Sequence, residues 1–136
     1  MDVKFPFEKI GASFFGTVYR PRANVLLKSP KHDIWTRTWM IVDTGADFTI
    51  LPPYIASDLD ISLENDCIKD TTIGVGGERN IYLCEQKIQA RLGNLKRDIP
   101  LAFFDNNEVP ALLGRLGFLE TFDTTFLKSH ITVFKE

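Results

Sequence analysis

The sequence predicts a mainly-β fold with one or two short helices. Three observations carry that expectation. Short runs of β-branched and aromatic residues alternate with Gly, Pro, Asn and Asp along the whole chain. Two candidate strands, residues 68–73 and 79–89, flank a glycine-rich tetrapeptide, Gly74-Val75-Gly76-Gly77, as the arms of a hairpin flank its tip. Only two segments, around Pro53 and after Gly114, have the spacing of a helix. The 136 residues fit a single domain over 1–136, and 44% apolar residues with 11 phenylalanines favour an ordered core over disorder.

Residues 13–19 (SFFGTVY) read as a strand and residues 24–28 (NVLLK) as a second. Residues 29–33 hold Pro30 and charges and read as a loop. Residues 34–42 (IWTRTWMIV) alternate and then become wholly apolar, so this strand is expected to end inside the core. The chain turns at Asp43-Thr44-Gly45 and resumes as a strand over 48–51. Pro52 and Pro53 stop it, and Pro53 suits the first turn of a short helix through Leu59. Residues 68–73 and 79–89 form the hairpin about the glycines. Residues 95–104 read as a strand with an edge or bulge at Pro100. Residues 105–108 (DNNE) are a turn, 111–113 a short strand, 114–122 a short helix and 131–134 a last strand. Pro6 speaks against a strand over 1–7. Phenylalanines 14, 15, 103, 104, 118, 122 and 126 are expected in the core, some of them at a contact between copies. Trp35 and Trp39 should share one face of their strand and serve packing.

The net charge is -2 and no basic stripe stands out, so nucleic-acid binding has no electrostatic support. Cys67 and Cys84 are the only cysteines, too few for a disulfide framework, and are read as free thiols. His32 and His130 lie far apart and form no ligand-spaced pair, so neither a metal nor another cofactor is expected. Residues 1–10 lack the pattern of a signal peptide, and no run approaches the ~20 apolar residues of a membrane span. A cytoplasmic protein with no membrane partner is the expectation.

The chemistry concentrates in Asp43-Thr44-Gly45-Ala46-Asp47, directly after Met40-Ile41-Val42. A carboxylate there leaves a buried strand for a tight turn. The Thr44 hydroxyl can fix the turn or bond across an interface. Gly45 and the small Ala46 let another backbone come close. Asp47 can accept amide hydrogen bonds or pair with an arginine. Taken alone, Asp43 is an ordinary turn aspartate.

Two further segments change that reading. Ile41 to Asp47, Ile73-Gly74-Val75-Gly76-Gly77 and Ala111-Leu112-Leu113-Gly114-Arg115 occur in one order, and together they resemble the retropepsins, the retroviral-type aspartic proteases and their cellular relatives. The resemblance spans about residues 13–134. It implies a closed β-barrel of the acid-protease half type, with the glycine-rich hairpin as a flap. It also implies an aspartic endopeptidase in which Asp43 is catalytic and Thr44 and Gly45 complete the active-site loop. Gly45, Ala46 and Asp47 would hold substrate backbone, and Gly74, Val75 and Gly76 would close over it. Val109, Pro110 and Leu112 would line side-chain pockets. Gly114 would permit close packing, and Arg115 would pair with Asp47 in a buried, bidentate contact.

Such hydrolysis needs one ionised carboxylate to take a proton from water and one protonated carboxyl to polarise the scissile carbonyl. The chain has a single Asp-Thr-Gly and is too short for two such lobes. The resemblance therefore implies a homodimer acting on a peptide or protein substrate. The alternative is a catalytically weak module of the same fold that serves dimerisation or protein binding.

Overall fold

The computed structural model describes residues 2–74 and 77–136. The chain opens with β1 (Asp2–Pro6) and a hairpin of β2 (Glu8–Ser13) and β3 (Gly16–Arg20). A second hairpin follows, β4 (Arg22–Lys28) with β5 (Trp35–Val42), then β6 (Thr49–Leu51) and helix α1 (Pro53–Asp58). Next come the paired β7 (Cys67–Gly74) and β8 (Gly77–Cys84), β9 (Ile88–Leu92), β10 (Leu95–Ile99) and β11 (Leu101–Phe104). The chain closes with β12 (Leu112–Leu113), a 3-10 turn (Leu119–Thr121), β13 (Asp123–Leu127) and β14 (Ile131–Lys135). The mainly-β expectation is met.

Alternation decides which faces are buried. In β4 the inward residues are Ala23, Val25 and Leu27, and in β9 they are Ile88, Ala90 and Leu92. These strands belong to a nine-stranded sheet in the order β10-β9-β4-β5-β12-β6-β11-β8-β7. β6 and β11, in its middle, are buried on both faces. Pairings among the described residues run from β10 to β7 without joining the two ends. A three-stranded sheet, β1-β14-β13, covers the core, with Phe134 fully buried and Phe5 edge-on to it at 6.2 Å. The hairpin β2-β3 forms a separate two-stranded sheet.

Several local readings change. Residues 13–19 are not one strand. Ser13 and Gly16 enclose a two-residue turn, in which the Ser13 hydroxyl donates to the Gly16 carbonyl (2.6 Å) and accepts the Phe15 N–H (3.2 Å). Gly16 has φ 124°, open to glycine at little cost. The turn puts Phe14 and Phe15 in solvent, 96% and 95% exposed, so neither is core, and Phe126 is exposed as well. Phe103, Phe104, Phe118 and Phe122 are buried as expected.

Pro100 divides residues 95–104 into β10 and β11, because a residue without an N–H cannot continue the ladder. The polar stretch Glu85-Gln86-Lys87 divides residues 79–89 into β8 and β9, and there the Glu85 N–H turns to the Asp66 carbonyl (3.0 Å). Over 114–122 the helix shrinks to the 3-10 turn, since Gly117 sits at φ 69°. Pro6 is accommodated in β1 because that strand is an edge of its sheet.

Helix α1 starts at Pro53 as expected, with Pro52 at its N-cap, and it buries Ile55 and Ala56. Trp39 is 45% exposed on the outer face, with the Arg22 guanidinium 4.1 Å from its ring. Both cysteines are free. Among the described residues no helix is long and apolar enough to cross a membrane.

Candidate active site

The nine-stranded sheet delivers Asp43 to a fixed place. Met40 and Val42 point into the core, so the chain leaves the sheet one residue later, with Asp43 half-buried. β12 lies between β5 and β6, parallel to the first and antiparallel to the second. It supplies the Leu113 carbonyl that accepts the Asp43 N–H (3.0 Å). The turn then closes on the acid itself. The Ala46 N–H donates to the Asp43 carbonyl (3.2 Å), and the Gly45 N–H donates to Asp43 Oδ1 (2.9 Å). A Cβ on Gly45 would stand 3.2 Å from that same oxygen, so glycine keeps the carboxylate uncrowded. Thr44 and Gly45 are exposed.

The segment after β12 braces the loop from behind. The Arg115 N–H donates to the Ala46 carbonyl (3.0 Å), and the Leu116 N–H donates to the Asp47 carbonyl (2.7 Å). The Gly114 N–H donates to Thr49 Oγ1 (3.2 Å) in a fully buried contact. A Cβ on Gly114 would fall 2.2 Å from the Phe48 carbonyl carbon and oxygen, which leaves room for glycine alone.

The expected Arg115–Asp47 pair is formed, but it is neither buried nor bidentate. One guanidinium nitrogen reaches Asp47 Oδ1, and the side chains are 44% and 73% exposed. Exposed pairs of this kind contribute only ~0–1 kcal/mol. The loop is tied down by backbone hydrogen bonds instead.

In front of Asp43 lies a cleft of about 300 Å³. Gly45, Ala46 and Asp47 line one side together with Phe48 and Ile50. Phe104, Val109 and Leu112 make an apolar wall. The β7-β8 hairpin contributes Thr72, Ile73, Gly77 and Arg79 from above. Gly74 ends β7 opposite Gly77. Val75 and Gly76, expected at the tip, lie outside the described residues. Pro110 is exposed and does not line the cleft.

Ile73 and Gly77 come from the segment read as a flap, whereas sequence reasoning does not place Phe48, Ile50, Thr72, Arg79 or Phe104 in the cleft. Thr72 and Arg79 face each other across the hairpin. The register counted back from the glycines could have found that pair.

Asp43 is the chain's one acid in an Asp-Thr-Gly setting, and Asp47 is turned to Arg115. Cys67 and Cys84 are direct cross-strand partners at the far end of the β7-β8 hairpin. Burial pushes the Cys67 thiol up to about 12 and raises Cys84 as well, so neither is held as a thiolate nucleophile.

A family described as aspartyl protease matches residues 35–116, well over half of the chain. The matched stretch runs from β5 through the Asp43 loop and the β7-β8 hairpin to Leu116. Among solved structures, the crystal structure of a retropepsin-like aspartic protease from Rickettsia conorii is similar. Its TM-score is 0.63 at 16% identity, over 98% of each chain. At that identity the likeness is one of fold, and it includes the terminal strands. No curated protein matches the chain.

Proposed function

The chain belongs to the aspartyl protease family, and from that premise we propose that it is an aspartic endopeptidase working as a homodimer. The observation that carries this reading is the half-buried Asp43 carboxylate, on the chain's one Asp-Thr-Gly turn, in a cleft of about 300 Å³ with an apolar wall. One acid is half of what the chemistry needs. An isologous two-fold contact would set the Asp43 of each copy beside the other.

Two carboxylates ~3 Å apart share one proton, since both cannot ionise together. The ionised one takes a proton from water, whose oxygen adds to the peptide carbonyl. The protonated one gives its proton to the carbonyl oxygen. The gem-diol adduct then collapses: one carboxyl proton passes to the leaving nitrogen as the C–N bond breaks, and a hydroxyl proton of the adduct returns to the ionised carboxylate. The titration belongs to the pair.

In this scheme Thr44 bonds across the dimer axis, which accounts for its exposure in the single chain. Gly45, Ala46 and Asp47 face the substrate backbone. Gly74, Val75 and Gly76 form a flap tip whose closure would exclude water. Val109 and Leu112, joined by Phe48, Ile50 and Phe104, favour apolar substrate side chains. Pro110, exposed on the outside, takes no part in that pocket.

The test is cleavage of a fluorogenic peptide with apolar residues on both sides of the scissile bond. The wild type should cut it with a bell-shaped rate profile on the acidic side. Asp43→Asn should abolish cutting while light scattering still reports a dimer. Full activity in that variant would refute the reading. Peptide binding without cleavage by the wild type would point to a binding module instead.

A further inference from the structure

The β2-β3 hairpin is anchored at its root and bare beyond it. At the root, Arg22 Nη1 meets Glu8 Oε2 at 3.1 Å and the Phe7 N–H donates to the His130 carbonyl at 2.8 Å. Tyr19 stacks on the His130 ring at 4.0 Å. Beyond that, every residue of the two strands except Gly11 is exposed. At the tip, Phe14 and Phe15 meet each other edge-on at 5.2 Å. A lone two-stranded hairpin is marginal in water, and leaving two such rings in solvent forfeits their burial.

The position of the root says what should cover it. The Pro21 carbonyl accepts the Val42 N–H at 3.0 Å, one residue before Asp43. Arg22 at the start of β4 pairs with Ile41 at the end of β5. β4 runs away from the end of the sheet where Asp43 emerges, so β3, which feeds it, arrives from beyond that end. The hairpin therefore projects from the very edge that a second copy must approach to complete the acid pair. Its strands of up to six residues reach about 20 Å. Exposed Ile10, Val18 and Tyr19 extend the apolar character along its length, whereas a membrane anchor would need only the tip.

We propose that the β2-β3 hairpin is a dimerisation arm that lies across a second copy of this chain, with Phe14 and Phe15 seated on that copy's surface. Two aromatic rings bury roughly 300–500 Å² together, a large part of the ~800 Å² per partner of a standard interface, and two-fold symmetry uses the arm twice. The inference rests on the homodimer reading above.

The test compares the wild type with Phe14→Ser/Phe15→Ser by sedimentation over a concentration series, with peptide cleavage measured in parallel. Both side chains are exposed, so circular dichroism should be unchanged. The variant's dimer dissociation constant should rise about a hundredfold or more, as expected for aromatic anchors, and its activity should return at high concentration. A wild-type dimer whose affinity the double change leaves intact overturns the arm and spares the homodimer. So does such an outcome combined with wild-type binding to phosphatidylglycerol vesicles. A wild type that is monomeric and inactive at every concentration overturns the homodimer itself. Should the variant fold poorly, amide exchange on the wild type decides. Residues 9–19 should slow on passing from monomer to dimer, and unchanged exchange there refutes the arm.

Discussion

The two walls of the Asp43 cleft are built on opposite terms. The rear wall, from β5 through β12 to Gly114, is held by main-chain hydrogen bonds from Ile41 and Asp43 to the buried Ala111 and Leu113, with Thr49 fully enclosed and no space for a Cβ at Gly114. The front wall, β7 and β8, is the edge of the sheet. Ile68 is exposed, and Ile73 is 83% exposed although it lines the cleft. The difference is one of division of labour. In the proposed dimer the acid has to be held within about 0.5 Å of its productive geometry, and that needs a rigid seat. If the front wall admits a peptide, as proposed, it needs few buried contacts, because segments of that kind open at low free-energy cost.

The largest expected effect breaks the rear wall. Gly114→Ala drives a methyl group into the Phe48 carbonyl, where the atoms it meets are backbone and cannot swing aside. We expect a loss of about 3 kcal/mol in urea unfolding, at the upper end for overpacking, and loss of cleavage with it. A stable, active Gly114→Ala protein would show that the rear wall yields as readily as the front.

A second measurement separates the far end of the hairpin from the rest. Burial raises the Cys67 pKa from 9.0 to about 12 in the folded chain. A raised value means that the stabilisation is fully present below the unfolded pKa and is lost as pH climbs from about 9 towards 12. The wild type should therefore lose more stability between pH 9 and 11 than Cys67→Ala, as read from urea midpoints. Equal losses would mean that the thiol is not enclosed.

These two walls were unequally legible in the sequence. Asp43-Thr44-Gly45 and Gly114-Arg115 stood out because each is a short stretch whose residue types answer a local demand, a tight turn or a close approach. The hairpin stood out through its glycines, and α1 through Pro53. Non-local pairing was not legible. β12 is two residues long, too short for any periodicity, yet its place between β5 and β6 seats the acid. Thr49 shows nothing in sequence of its bond to Gly114, 65 residues away. Phe14-Phe15 misled because apolarity implies burial only on average, and Ser13 and Gly16 make a turn whatever lies between them. β13 carries two threonines and no clear alternation, and it forms because β14 offers it an edge.

A smaller effect probes the front wall. Ile73→Ser removes an exposed side chain, so unfolding should shift by no more than about 0.5 kcal/mol. If the hairpin closes over substrate, KM for an apolar peptide should rise severalfold with the fold intact. A stability loss like that of Gly114→Ala would place Ile73 in a core and erase the contrast.

The smallest effect is expected behind the loop, at Arg115→Ala. The ion pair with Asp47 is open to water on both sides, and its weight is ~0–1 kcal/mol. The bonds that hold the loop come from the Arg115 and Leu116 N–H groups and survive the change, because alanine keeps its N–H. In dilute protein the urea midpoint should hardly move, with or without salt. The same variant measured at rising concentration then carries separate information. If a second copy covers the Asp43 edge, it also draws water away from the pair, and a pair removed from water costs far more to break. A penalty that emerges only when copies associate would locate Asp47 and Arg115 under the partner. A penalty already present in the isolated chain would mean that the rear wall leans on the ion pair after all.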